Sequence, residues 1–487
     1  MTGPILAKDL SHHLSEEAKS RQASTLKLAF KHFSDPRIVS LGGGLPLPDL
    51  FPFNSLKVET LNPPFSRGID VFPESSDEAL EVVVAKSRAQ IEHDHDIPLE
   101  TALQYGSSAG NTQIVEFLRE HTRIIHSPKY QDWDIVMSVG NTQAWDSTLR
   151  TFTTRGDVIF AEQFTFSSAA ETVHANGVKI FPVPTDLEGI DAEAFAEILA
   201  NWEGPIPKLL YTIPTGQNPT GGTMPAERRK KVYDLACKYD FIIVEDEPYY
   251  FLQMHEYKFG ATAADLPPVP SHDEFLKSLV PSYLSLDTEG RVLRLDSFSK
   301  VLAPGSRLGW IVGQERLIER FLRQHEVTIQ VASGFSQAIL NGMLHRWGQE
   351  GYLDWLIQLR RNYTLKRNVA LDAVKKYVPS EVADWIAPSA GMFFWIQLDA
   401  SKHPDYEKLG RDPAAVEMQI YERGIEDGVL MIPGHWFVIE DERAAKPPSR
   451  EGRQFMYFRG TFASVKPEAL DKGLNIFGDL IKKEYQL

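Results

Sequence analysis

The sequence predicts an α/β fold whose main sheet is largely parallel and covered by helices on both faces. Through the middle of the 487-residue chain, short apolar runs of strand length alternate with segments of helix length, which is the pattern of such sheets. The last third changes character, because two long helical patterns there precede short strands rich in aromatic residues. That change predicts a second, smaller domain of mixed strands and helices.

The alternation can be followed along the chain. Apolar runs predict strands at 135–139, 157–161, 179–183, 208–213, 241–245, 292–296 and 310–312. Helices are predicted at 142–154, 225–239, 333–346 and 353–377. Pro225 suits the first turn of its helix, where the missing N–H has no partner to lose. The stretch 257–285 interrupts the rhythm with four prolines and several acids, so we expect an exposed insertion there.

Composition excludes several classes of protein. The formal net charge of −15 argues against a nucleic-acid binder, which would carry a basic face. Cys237 is the single cysteine, so an internal disulfide is impossible and a reducing compartment is expected. No run reaches the ~18 apolar residues of a membrane span, and the N-terminus lacks an apolar signal core. We therefore expect a cytoplasmic protein with neither a membrane nor a nucleic-acid partner.

Lys300 stands directly after the strand predicted at 292–296. Two hydroxyls, Ser297 and Ser299, come just before it, and Arg307 follows. A lysine is nucleophilic only after its ammonium loses a proton, which burial and nearby positive charge favour. Arg307 can supply that charge and can bind phosphate with its forked guanidinium. The segment therefore suits an amine that forms a Schiff base beside a phosphate, although an isolated lysine is ordinarily a solvated surface residue.

Three further segments combine polar residues with the ends of predicted strands. Asn218 lies in the loop 212–222, which is dense in turn residues, and 245–247 places three acids at a strand's carboxyl end, where open α/β sheets bind ligands. Asp246 or a neighbouring acid could pair with a protonated ring nitrogen. At 140–143, small polar residues begin a helix and can cradle an anion. Each has an ordinary alternative: a plain turn, a solvated acidic loop or a helix cap.

Together these segments resemble the fold-type I aminotransferases, which use pyridoxal 5'-phosphate. Within that group the chain is most similar to the fungal aromatic and α-aminoadipate aminotransferases and the related kynurenine/α-aminoadipate aminotransferases. The motifs at 38–46, 103–110 and 390–395 match that branch, and the resemblance runs from about Arg21 to near the C-terminus. Its joint pattern is specific, whereas any single motif would be weak.

The resemblance implies an architecture and an assembly. It implies a mainly parallel seven-stranded sheet in a large cofactor-binding domain at 61–345, which contains the insertion at about 257–285. An N-terminal arm at 1–60 adds to a small α+β domain at 346–487. Active sites of this fold borrow residues across a subunit interface, so a homodimer with shared active sites is expected.

The resemblance also implies roles for individual residues. Lys300 forms the Schiff base and later moves the proton, and Asp246 pairs with the pyridine nitrogen. The other implied cofactor contacts are Asn218 and Tyr249 at the phenolic oxygen, Phe166 against the ring, Ser297, Ser299, Arg307, Asn141 and Thr142 around the phosphate, and Tyr105 from the partner subunit. The implied substrate contacts are Arg459 and Asn218 at the amino acid, Gly43 in the closing segment, and Arg21 at a side-chain carboxylate.

The chain departs from the family pattern at several of these positions. Phe166 stands where many relatives have tyrosine, so stacking survives but a hydroxyl is lost. Asn141 and Thr142 stand where relatives often carry serine and glutamine, and both can still donate hydrogen bonds to an anion. The insertion is longer than in most relatives, although fungal aromatic members have similar ones.

The function implied is ping-pong transamination between an aromatic amino acid and a 2-oxo acid, which we expect to be 2-oxoglutarate. Aromatic residues gather in the candidate site segments, and an aromatic-lined pocket favours phenylalanine, tyrosine, tryptophan or kynurenine; these residues are Phe51, Phe53, Tyr105, Phe166, Tyr249, Phe393 and Trp395. Arg21 would serve the second carboxylate of 2-oxoglutarate or 2-aminoadipate. The alternatives are a 2-aminoadipate aminotransferase and a lyase or decarboxylase that uses the same cofactor.

Alternating His and Asp at 93–96 could bind metal, but no further ligand cluster is evident, and no metal is expected.

Overall fold

The computed structural model describes residues 5–24, 37, 41–42, 44–70, 79–441, 443 and 454–487. The chain forms two compact units, each built from separate stretches of sequence. The first unit comprises Met1–Asp157, Tyr233–Pro248 and Val280–Leu356, and the second comprises Val158–Val232, Tyr249–Leu279 and Ile357–Leu487. The domain division at 1–60, 61–345 and 346–487 stays a prediction.

The strands found among the described residues are numbered along the chain. They are β1 (Ser55–Thr60), β2 (Leu80–Ala85), β3 (Trp133–Ser138), β4 (Val158–Glu162), β5 (Lys179–Val183), β6 (Thr185–Asp186), β7 (Gly189–Ile190), β8 (Leu209–Thr212), β9 (Ile242–Asp246), β10 (Val292–Ser297), β11 (Gly309–Gln314), β12 (Ala383–Trp385), β13 (Phe393–Asp399), β14 (Ile432–Pro433) and β15 (Phe455–Thr461).

The largest sheet within the described ranges has seven strands in the order β3-β11-β10-β9-β8-β4-β5. Strand β9 is parallel to β10, and β4 is parallel to β5 and to β8. Strand β11 runs antiparallel to both of its neighbours, β10 and β3. Strands β9, β10 and β11 are buried along their whole length, as expected for strands that are covered on both faces. The prediction of a mainly parallel seven-stranded sheet is confirmed, with β11 as its antiparallel exception.

A four-stranded antiparallel sheet lies in the second unit, in the order β12-β13-β15-β14. Along β15, buried residues alternate with exposed or half-buried ones. The buried side chains pack against the C-terminal helix, where Phe458 meets Phe477 edge-on at 5.6 Å between ring centroids. This sheet and its helices form the α+β part that the last third of the sequence predicted.

The longer helices include close matches to the predicted ones at 142–154, 225–239, 333–346 and 353–377. They are Thr112–His126, Asn141–Phe152, Ser167–Ala175, Ala192–Ala200, Ala226–Tyr239, Glu315–His325, Gly334–Tyr377, Pro413–Asp427 and Pro467–Tyr485, with shorter helices at Glu16–Ser20, Leu99–Ala102, His272–Ser278 and Tyr283–Leu286. Gly348 interrupts Gly334–Tyr377 with φ 64° and ψ −179°, values that no α-helix contains. The two predicted long helices are therefore separated by a glycine. Among the described helices, none has both the length and the apolarity needed to cross a membrane.

The predicted exposed insertion at 257–285 is only partly exposed. Phe275 is fully buried, with the guanidinium of Arg360 4.6 Å from its ring centroid. Its helix begins at Ser271, whose hydroxyl accepts a hydrogen bond from the backbone of Glu274 while the Glu274 carboxylate accepts from Ser271. The spacing Ser-x-x-Glu of this capping box indicates a helix start, and the helix that follows buries part of the insertion.

Candidate active site

Lys300 lies in the turn that follows β10 and is half-buried. Burial lowers the pKa of its ammonium below the ordinary lysine value, and the positive charge of Arg307 lowers it further. Both causes were anticipated from the sequence. The side chain is therefore easier to deprotonate than a surface lysine, as a nucleophile or general base requires.

Hydroxyl and guanidinium groups gather beside Lys300 in the first unit. Ser297 Oγ donates to Ser299 Oγ at 2.7 Å, and Arg307 Nη1 lies 3.4 Å from Ser299 Oγ. Arg307 Nη2 donates to the carbonyl of Val139 at 2.9 Å. The structure thus brings together three of the five residues of this chain that were predicted to surround a phosphate, Ser297, Ser299 and Arg307.

A glycine lets the guanidinium approach the start of the neighbouring helix. Gly140 has φ 93°, which strains any other residue, and a Cβ added there would lie 2.4 Å from Arg307 Nη2 and displace the guanidinium. Helix Asn141–Phe152 begins at the next residue and carries Thr142 in its first turn. A helix N-terminus offers free N–H groups and a favourable dipole. With Arg307 and the two serines it makes a donor set suited to a phosphate.

Asn141 does more than the resemblance implied. Its side-chain amide donates to Asp246 Oδ1 at 2.7 Å and to the carbonyl of Leu295 at 2.9 Å. The predicted phosphate role can therefore belong only to its backbone, since the side chain orients the carboxylate. Within the described residues, Asn141 Oδ1 is buried without a hydrogen-bond partner. Asp246 ends β9 and is itself 6% exposed.

Sequence reasoning missed a buried ion network that joins β9 to β10. Arg294 is fully buried and pairs with Asp296 through two contacts of 2.7 and 2.9 Å, and its Nη1 lies 3.4 Å from Glu245. Glu245 also accepts from the backbone N–H groups of Tyr283 and Leu284. The acids at 245–247 are therefore not a solvated loop. The signal was an arginine and an aspartate within the apolar run of β10.

The second unit holds a separate cluster around Arg459, which lies on β15. Arg459 Nη1 donates to Asn218 Oδ1 at 2.7 Å. Its guanidinium carbon lies 4.4 Å from the ring centroid of Phe393 and 4.7 Å from that of Phe437. Burial lowers the pKa of Arg459 below its ordinary value, yet a guanidinium stays charged in proteins. The result is a cation oriented by an amide and two rings, and Phe437 was not among the predicted residues.

The loop that carries Asn218 is fixed by close backbone packing and by a buried acid. Gly216 has φ 58°, and a Cβ there would lie 2.5 Å from the backbone of Gly391. Glu162 accepts hydrogen bonds from Thr212 Oγ1 at 2.9 Å and from Gln217 Nε2 at 3.1 Å. Burial raises the pKa of Glu162 to about 7 despite these bonds. Sequence reasoning did not single out Glu162.

Two other predicted cofactor residues also lie in the second unit. Tyr249 is 5% exposed, and its ring meets Phe393 edge-on at 5.9 Å between centroids. Phe166 is half-buried and immediately precedes helix Ser167–Ala175. The structure therefore groups Tyr249 with the Arg459 cluster through Phe393, and places Phe166 at a helix start.

The other predicted residues have contacts or exposure that do not link them to either cluster. The guanidinium of Arg21 is paired with Glu17, four residues earlier. Tyr105 is 58% exposed, and Gly43 lies outside the described residues. At 93–96, His95 stacks on His345 and Asp96 pairs with Arg346 at 2.8 Å, so these side chains have ordinary structural contacts.

The first unit combines a lysine of lowered pKa, a donor set suited to a phosphate and a buried carboxylate. These are the groups that a pyridoxal phosphate-dependent transferase uses. From residue 76 to residue 476 the chain matches the family described as aminotransferase class I and II, and it belongs to that family. An aromatic amino acid aminotransferase of Schizosaccharomyces pombe is 42% identical over 98% of this chain and 99% of the relative. An L-tyrosine:2-oxoglutarate aminotransferase of Serpula lacrymans is 32% identical, covering 98% of this chain and 96% of its own length.

The fold agrees with a solved structure over its full length. Aminotransferase Aro8 from Candida albicans superposes with a TM-score of 0.94 at 51% identity, and the match covers 100% of each chain. These similarities confirm the predicted resemblance, the fold class, the aminotransferase activity and the cofactor, pyridoxal 5'-phosphate. The roles of single residues stay predictions.

Proposed function

We propose that this aminotransferase moves the amino group of an aromatic amino acid to 2-oxoglutarate. The observation that carries the proposal is the guanidinium of Arg459 held between Phe393 and Phe437, in a chain similar to enzymes named for aromatic amino acids. We further propose a cytoplasmic homodimer. Tyr105, 58% exposed in the single chain, is the side chain expected to reach the partner's site.

The residues present fit the cofactor. Ser297, Ser299, Arg307 and the helix start at Gly140 would hold its phosphate, since their donors are gathered there and a side chain at Gly140 would displace the Arg307 guanidinium. Asp246 would face its ring nitrogen. Bound there, pyridoxal 5'-phosphate supplies an electron sink for negative charge at the substrate Cα.

The chain's own groups then have distinct tasks. Lys300, with its pKa lowered by burial and Arg307, would accept the proton from Cα as general base. The Asp246 carboxylate, held by Asn141, would keep a proton on the ring nitrogen. Arg459 would bind the α-carboxylate in a bidentate manner and so orient the Cα–H bond. Asn218 accepts from Arg459 and retains an amide N–H₂ that can donate to the phenolic oxygen.

A panel of amino donors tests the substrate class. With 2-oxoglutarate as acceptor, we expect glutamate to form with higher kcat/KM from phenylalanine, tyrosine, tryptophan and kynurenine than from alanine, leucine or 2-aminoadipate. A clear preference for 2-aminoadipate would overturn the aromatic assignment. Release of ammonia or carbon dioxide without stoichiometric glutamate would instead support the lyase or decarboxylase alternative.

The rings around Arg459 give a prediction of their own. Replacing Phe437 with leucine should raise KM for the amino acid by about 2- to 30-fold, because one cation–π contact of ~0.5–2 kcal/mol is lost, while kcat changes less. Steady-state kinetics with tyrosine measure this. Phe164→Leu is the matched control, since Phe164 packs on Trp395 and Tyr457 in the same unit. Equal effects of the two substitutions would mean that Phe437 only packs.

Arg21 gives a test of acceptor choice. If Arg21 leaves Glu17 to bind a second carboxylate, Arg21→Ala should lower kcat/KM for 2-oxoglutarate by about 10-fold or more, the value of a hydrogen bond to a charged group. Turnover with pyruvate, which lacks that carboxylate, should be unchanged. Lys19→Ala, in the helix that ends just before Arg21, serves as control. An Arg21→Ala enzyme that discriminates the two acceptors as the parent does would refute the role.

A further inference from the structure

Two adjacent histidines and a distant aspartate converge in the first unit. His12 Nε2 lies 2.7 Å from Asp240 Oδ2, and His13 Nε2 lies 3.3 Å from Asp240 Oδ1. The three ligand atoms all lie within 4.8 Å of one another. A search of the described residues for three or more His, Cys, Asp or Glu side chains at such spacing identifies this group. Spacing along the chain does not predict this group, because Asp240 is 228 residues from His12.

His13 has an unsatisfied ring nitrogen. The residue is 5% exposed, and its buried Nε2 has no hydrogen-bond partner among the described residues, although Asp240 lies opposite. A buried polar atom without a partner costs free energy. A ligand placed between His13 and Asp240 would satisfy it.

The turn that presents the histidines is anchored on both sides. His12 and His13 lie in the 3₁₀ turn Ser11–His13. The buried side chains of Leu10 and Leu14 flank that turn. Beyond it, Ser15 donates from its backbone to Thr151 O at 2.8 Å. Because the backbone is fixed, the two imidazoles are held near Asp240 before any ligand arrives.

We propose that His12, His13 and Asp240 bind a divalent transition-metal ion of the zinc type. Two imidazole nitrogens and a carboxylate oxygen are ligands that Zn²⁺ prefers, and a water would complete a tetrahedron. Ligand bonds of ~2.0–2.1 Å in a tetrahedron put neighbouring ligand atoms about 3.3 Å apart, which is the separation of His13 Nε2 from Asp240 Oδ1. The His12 contact of 2.7 Å is a direct hydrogen bond that the ion would replace. Calcium and magnesium are disfavoured because they prefer oxygen ligands.

Nearby charge sets the strength of the site. Arg291 Nη1 lies 3.4 Å from Asp240 Oδ1 and would repel a cation. Arg291 also pairs with Glu289, which offsets that charge. His12 has a side chain 56% exposed, so the ion can enter from solvent. Together these features indicate an exchangeable ion of moderate affinity.

By binding His12, His13 and Asp240, the ion would link the N-terminal segment to the end of helix Ala226–Tyr239, which Asp240 follows. The same segment continues through helix Glu16–Ser20 to Arg21. Occupancy should therefore slow the opening of that segment and protect its lysines from protease, because binding to the folded form stabilises it.

The test uses the tag-free holoenzyme after treatment with a chelator. Titration with ZnCl₂ by calorimetry should saturate at a single equivalent per chain, and CoCl₂ should give the visible absorption of a nitrogen- and oxygen-ligated ion. Zinc should also slow tryptic cleavage after Lys8 and Lys19. His12→Ala should weaken zinc binding by at least roughly 10- to 100-fold, since even a lost outer-shell partner costs that much.

Controls separate this site from adventitious binding. His93→Ala removes an exposed histidine elsewhere and should leave the calorimetric trace unchanged. Asp240→Asn should weaken binding as His12→Ala does, and His12→Ala remains informative if Asp240→Asn does not fold. The proposal is overturned if wild-type protein takes up no stoichiometric zinc, or if His12→Ala binds as tightly as the parent.

Discussion

Lys300→Ala should abolish transamination and remove the absorbance of the lysine-bound cofactor. The side chain is the chain's proposed proton carrier at Cα, and burial together with Arg307 lowers its pKa for that task. Loss of a positioned general base costs up to about 10⁴-fold, and loss of the covalent tether adds to it. The measurement is glutamate formation from tyrosine and 2-oxoglutarate, beside the visible spectrum of the purified protein.

A surface lysine provides the comparison. Lys277→Ala, in helix His272–Ser278, should keep both the activity and the spectrum. Circular dichroism and thermal melting should show that the Lys300→Ala protein is folded, since Ser297, Ser299 and Arg307 still hold their loop. Substantial turnover by folded Lys300→Ala protein would mean that another amine performs the chemistry.

The surroundings of Lys300 could be predicted from the sequence because they are local. The serines and the arginine that define it all lie within ten residues along the chain, and the strand before it starts with a mostly apolar run, Val292 to Leu295. The same holds for the sheet: β9, β10 and β11 are buried along their whole length, and each includes a short, mostly apolar run. Where the environment of a residue is set by its sequence neighbours, spacing alone predicts it.

What the sequence could not supply is contact between distant residues. Asn141 reaches Asp246 across 105 positions, and Arg459 reaches Asn218 across 241. The resemblance gave a role to each of these four residues but not the two bonds that orient them. Phe437 was not predicted for the same reason, since no residue near it in the sequence indicates that it contacts Arg459. Tertiary packing decides such partners, and a single sequence carries no record of it.

Asp246→Asn should lower kcat by roughly 10²- to 10³-fold, the range for losing one preorganised electrostatic partner, with little change in KM. The carboxylate is 6% exposed and accepts from Asn141, so its charge acts with little solvent screening. Asparagine keeps the shape and can still accept from Asn141 through its carbonyl oxygen. The loss would therefore report on charge, and a pH titration of the bound cofactor's absorbance should show the ring nitrogen losing its proton at lower pH.

A second buried acid, Asp296, is the control that separates loss of the Asp246 charge from loss of any buried negative charge. Asp296→Asn also removes a buried negative charge, but one that pairs with Arg294 on β10. Its main effect should be a lower melting temperature, because it leaves Arg294 less well compensated, while kcat below that temperature falls far less than in Asp246→Asn. If both variants lost activity equally, the buried network as a whole would be responsible. If Asp246→Asn kept near wild-type kcat, the group that protonates the ring nitrogen would have to be sought elsewhere.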